Sequence, residues 1–148
     1  MGTFLGLSDL GWEYRENNDR RLPIVQVGDL SITHGHRTNE YAHKWTMNDY
    51  GVSVLVQHTH RLGSYFHTGS NGTIEGWQNG HLFDEEKATY TQVANWQKGF
   101  SVVTVEKDTG WFRIEQVPIK KIPETNRLRV MLHEGIIETP GIIKGVKV

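Results

Sequence analysis

The chain has no cysteine among its 148 residues. That excludes a disulfide framework and any thiolate metal centre, so a bound metal would rest on imidazole, carboxylate, amide or water ligands. Neither sign of charge dominates: 16 Lys and Arg against 17 Asp and Glu leave a net charge of −1. No global field therefore draws the protein to nucleic acid or to anionic membranes. No apolar run approaches the roughly 18 residues of a membrane-spanning helix, and no basic segment followed by an apolar stretch opens the chain. These absences predict a cytoplasmic protein without a membrane partner. Apolar residues are also scarce, at 36%, while Trp, Tyr and Phe make up 10%. Aromatic rings then supply much of the buried area, or part of the surface awaits a partner. The length fits one domain, with no internal repeat and no low-complexity tract.

The elements that are present suggest an α/β fold rich in β. Ile24 to Val27 is a clear strand, and "LSITHG" is a second that stops at Gly35. Residues 39–50 carry a candidate Asn cap, with Tyr41, Trp45 and Met47 or Asn48 near helical spacing, and Gly51 is a natural stop. "VSVLVQ" has the composition of a buried strand. A strand, a helix and a strand within about 30 residues make a βαβ-type unit. Short strands follow in "GSYFHTG", "GTIEGWQ" and "NGHLFD". The best hairpin is "FSVVTVEKDTGWFRIEQVPI", with alternating residues around a "DTG" turn. Residues 1–122 form the predicted domain. Residues 123–148 read as an extension, mobile or pairing with another subunit, with a strand at Leu128 to Leu132.

Six of the eight histidines fall between residues 31 and 69. Imidazole is neutral near pH 7 and offers a lone pair to a divalent ion, so closely spaced histidines are good ligands. "THGH" contains His34 and His36, and "QHTH" contains His58 and His60; each closes a strand. Parallel strands in a βαβ unit bring such ends to one edge, where α/β sites form. The competing interpretation is ordinary surface polarity, preferred for His43 on the helix and His133 in the tail. His67 and His81 stay open between the two, and His36 between an outer donor and a phosphate contact.

Together, "SITHGH" and "VSVLVQHTHRLGSYF" resemble the C-terminal half of a calcineurin-like metallophosphoesterase. Members have one apolar strand ending in H-G and a later one ending in G-H-x-H. The stretch from "GTIEGWQNGHLFDE" through "NWQKGF" to the last hairpin is similar to bacteriophage-type members. The resemblance covers about residues 5–120. It implies half of a β-sandwich with one central helix and a C-terminal antiparallel hairpin. It also implies a two-ion phosphoester-hydrolysing site: His34 and His58 on one ion, His60 on the other, with His36 and Arg61 near phosphate. Mn²⁺ is the ion the family suggests, whereas Zn²⁺ suits three imidazoles on ligand chemistry alone. The location implied for a phage-encoded chain is the host cytoplasm.

The departures are specific. The sequence has no D-x-H, G-D-x-x-D or G-N-H-E/D, and Gln57 stands where the family has Gly. "VGD" at Val27 to Asp29 lacks the second Asp and falls on the strand leading into H-G. Without a bridging carboxylate, three imidazoles hold ions weakly. The chain is thus expected to be incomplete alone and to act with a separate polypeptide carrying the N-terminal half. The alternative is a non-catalytic, homo-oligomeric binding or assembly protein on the same half fold, since an exposed sheet face and edge call for a cover. Nucleic acid enters as a substrate class, or through stacking on Trp12, Trp45, Trp77, Trp96 and Trp111, although core packing is the simpler use for these rings.

Overall fold

The computed structural model describes residues 24–85, 88, 94–125, 127–132 and 135–138. The predicted βαβ unit is present. Strand β1 (Ile24–Val27) turns back into β2 (Leu30–Thr33), helix α1 (Ala42–Tyr50) crosses over, and β3 (Ser53–Val56) returns parallel to β2. Strands β4 (Gly63–Gly69) and β5 (Gly72–Gln78) form a hairpin, and β5 inserts beside β3, parallel to it. The first sheet thus runs β1-β2-β3-β5-β4. The second is an antiparallel meander of β6 (Gly99–Val105), β7 (Phe112–Lys121), β8 (Leu128–Leu132) and β9 (Gly135–Glu138). The fold is β-rich, with two sheets and one helix among the described residues.

Side-chain alternation assembles the layers. Every residue of β3 is buried, as expected of a strand with parallel neighbours on both sides. Leu55 points to the second sheet and packs with Leu30, Phe112 and Ile114. Val54 and Val56 point the other way, under Met47 of α1. The order is helix, first sheet, second sheet.

Three expectations need correction. The helix begins at Ala42 rather than 39, and no side chain caps it; Asn39 contributes only its carbonyl, to the Ala42 N–H at 3.2 Å. Its buried face is Ala42, His43, Thr46 and Met47, whereas Tyr41 and Trp45 are exposed. "NGHLFD" is a loop touching the second sheet through one bridge, His81 to Lys98. Gly51 does end the helix in the left-handed conformation. The described part of the 123–148 extension pairs within the chain, β8 lying against Ile119–Lys121 of β7. His133 and Trp12 lie outside the described residues.

Candidate functional site

Strands β2, β3 and β5 are mutually parallel, so their carboxyl ends share one edge of the first sheet. His34 directly follows β2, "QHTH" follows β3, and Asn79, Gly80 and His81 follow β5. The backbone locks these ends together. The N–H groups of Gln57 and His58 donate to the His34 carbonyl at 3.3 and 2.9 Å, and the Asn79 N–H donates to the Val56 carbonyl at 2.7 Å. Gly35 takes a φ of +82° to leave β2 with Val56 close by, a conformation that favours glycine. Asp29 of "VGD" sits in the β1–β2 turn, at the other end of β2 from His34.

His34 and His58 meet edge to face, and His58 Nδ1 is 2.8 Å from His34 Nε2. One nitrogen donates and the other accepts, so the two rings cannot both be doubly protonated. Burial, reinforced by His58, lowers the His34 pKa below the ordinary imidazole value.

His60 takes a different direction from the same loop. A turn closes from the His60 N–H to the Gln57 carbonyl at 3.4 Å, and His60 has a φ of +58°. It alone among non-glycine described residues has positive φ, a local cost of order 1–3 kcal/mol that the surroundings must offset. Its ring packs edge to face on His81, Phe83 and Trp96, at centroid distances of 6.1, 5.2 and 5.6 Å. Burial lowers its pKa first, then the charges of His81, His58 and His34. His81 is only 4% exposed, stacks on Phe83 at 4.0 Å, and contacts Glu85 Oε1 at 3.0 Å through Nε2. Burial lowers its pKa against the opposing pull of Glu85.

A cleft of about 320 Å³ opens at this edge, and His34, His60 and His81 all line it. Of the five residues singled out in the sequence, then, His34 and His58 are in contact and His60 faces the same cleft as His34. His36 is exposed beyond Gly35 and does not line the cleft. Arg61 also lies outside the lining: its Nε donates to the Asn95 carbonyl at 3.0 Å and its Nη1 is buried. Among the described residues, no three His, Asp or Glu are gathered at metal-ligating spacing. The donor set therefore fits one divalent ion through two imidazoles. It does not by itself fit a carboxylate-bridged pair of ions.

A buried amide holds the loop from beneath. Gln78 is 1% exposed. Thr59, between the two loop histidines, donates to Gln78 Oε1 at 2.9 Å. Gln78 Nε2 donates to the Glu40 carbonyl at 2.7 Å and to His43 Nδ1 at 2.6 Å. His43, expected on the surface, is 6% exposed and belongs to this network. With Nδ1 as acceptor, its proton is assigned to Nε2, beside the Ser64 backbone. Gln116 of the second sheet donates to the Gln78 carbonyl at 2.5 Å. His67 is exposed on β4, in register with Ile74 and away from the cleft.

No family model matches the chain, and no solved structure does. Two proteins named "Gene 54 protein", from Mycobacterium phages D29 and L5, are each 35% identical to it over 101 residues. The chain is a homologue of phage proteins. The match takes in 59% of this chain and 38% of each relative, so the chain spans well under half the length of these curated relatives. Their names state no activity. No helix among the described residues is long and apolar enough to cross a membrane.

Proposed function

We propose that this edge is half of a metal-dependent phosphoester-hydrolysing site of the calcineurin-like type, completed by acidic ligands from a separate N-terminal half. The observation that carries the reading is the His34–His58 contact. Two nitrogens that share a proton at 2.8 Å need to part only slightly to embrace one ion. Tetrahedral ligands with bonds of about 2.0–2.1 Å lie about 3.3 Å apart. Arrival of the two histidines from the ends of adjacent parallel strands, with "H-T-H" on the second, is the arrangement the resemblance implies. When bound, a divalent ion polarises a phosphoryl oxygen and makes its bound water a better nucleophile. In this scheme His34 and His58 hold the ion as neutral imidazoles, His60 walls the cleft, and Arg61 braces the loop at Asn95. Bridging carboxylates come from the partner. The location in keeping with a phage protein of this kind is the host cytoplasm.

The test is hydrolysis of bis(p-nitrophenyl) phosphate with Mn²⁺, by the chain alone and mixed with the polypeptide encoded beside it. Mixing is expected to raise the rate at least tenfold, and His58→Ala to remove the gain. No gain over either piece alone rejects the reading.

A second reading, a non-catalytic oligomeric assembly protein, draws on one observation. Met131 of β8 and Ile136 of β9, opposite each other in register, are 66% and 58% exposed. Apolar surface of that kind marks interaction sites. Light scattering separates the two, because a monomer at all concentrations removes the assembly reading.

A further inference from the structure

Resting on the phosphoester reading, we propose that the cleft beside the imidazole pair accepts the base of a nucleotide, so that the phosphoester acted on is a nucleotide's. The cleft's volume of about 320 Å³ falls in the range of small-ligand sites, roughly 300–1,000 Å³. His34 lines it, so the space adjoins the pair assigned to the ion. The remaining lining is of two kinds. Leu82, Phe83 and Phe100 bring apolar and aromatic surface, with the His60 ring among them. Gln57 and Asn79, two residues with side-chain amides, complete the polar part of the lining.

Those amides have spare capacity. Gln57 has no side-chain hydrogen bond among the described residues, and Asn79 uses only Oδ1, which accepts from Ser101 Oγ at 2.9 Å. An amide's donor and acceptor match a base edge, and Gln or Asn pairs in bidentate fashion with adenine. A ring of any base gains from an aromatic wall. A sugar phosphate would leave the apolar wall unused, and a phosphopeptide needs an extended groove rather than a compact cleft. Gln57 is also the residue that replaces the glycine of the resembling family. A side chain there would narrow a general phosphoester site; on this cleft it becomes a contact for the base.

The experiment is saturation-transfer NMR and titration on the full chain. Its probes are the four nucleoside 5′-monophosphates, adenosine, ribose 5-phosphate and inorganic phosphate. At least one nucleoside monophosphate is expected to bind about tenfold tighter than ribose 5-phosphate, the fold-change one stacked base provides. Gln57→Gly and Phe100→Leu should each erase most of that advantage and leave ribose 5-phosphate unchanged. Gln57 is exposed in a loop, so its variant keeps the fold even if Phe100→Leu does not. Equal binding of all four and ribose 5-phosphate overturns the base site while leaving the phosphoester reading intact. Binding of adenosine without any binding of phosphate compounds supports the base site and removes the phosphoester reading. A short single strand with a 5′-phosphate, titrated beside the mononucleotides, separates the sources: tighter binding of the strand points to a nucleic-acid end, equal or weaker binding to a free nucleotide.

Discussion

At the scale of single residues, histidine does three different jobs within one small protein. His34 and His58 share a proton at the sheet edge, His60 and His81 pack among aromatic rings, and His43 is a core residue bonded to Gln78. Their chemistry was legible in the sequence where the backbone pattern carried it, because both H-x-H pairs follow strand-like runs. His43 was not legible, since a polar residue on a short helix looks solvated. Its burial depends on Gln78, 35 residues away, which no local pattern announces. The buried state makes a pH prediction. Burial lowers the folded pKa of His43 below its ordinary value near 6.5, so the unfolded chain binds the proton more readily. Stability from this group is present in full above about pH 6.5 and is lost as pH falls from there through the folded pKa. Urea denaturation at pH 7.5 and 5.5 should show that loss, and His43→Gln should reduce the difference between the two.

At the scale of elements, the site depends on how the strand ends are tied. Gln78 links α1, the "H-T-H" loop and β5 through one side chain. Gln78→Leu leaves the Thr59 hydroxyl, the Glu40 carbonyl and His43 Nδ1 without this partner. The expected cost is about 2–4 kcal/mol in urea denaturation, above that of an ordinary surface change. It should also weaken Zn²⁺ binding at His58 in the fraction that stays folded. Gly51 gives a cleaner backbone test. A Cβ there meets nothing within 4 Å, so Gly51→Ala measures only the left-handed helix end at φ +66°. It should destabilise by about 1 kcal/mol in the same assay. Most elements were legible from alternation and turn residues, including the β6–β7 hairpin and the strand at Leu128–Leu132. The insertion of β5 beside β3 was not, because parallel pairing joins segments distant in sequence. That insertion is why Asn79 and His81, in a stretch expected to be one more short strand, line one cleft with His34.

At the scale of the whole molecule, two features point outward. The edge brings no three His, Asp or Glu together at metal-ligating spacing among the described residues, and the second sheet exposes Met131 and Ile136, opposite each other on β8 and β9. A partner half that brings carboxylates would answer the first. Sedimentation of the chain mixed with that polypeptide should show a 1:1 complex, and a charge at Met131 (Met131→Glu) should weaken any association through the second sheet. The phage relatives extend well beyond the matched region. The most direct test of the central claim follows the ring nitrogens of all eight histidines by ¹⁵N NMR during a Zn²⁺ titration of the full chain. The account predicts that His34 Nε2 and His58 Nδ1 move first and together to metal-bound shifts, and that His34→Ala abolishes the change at His58. Saturation of other histidines with this pair unmoved would contradict it.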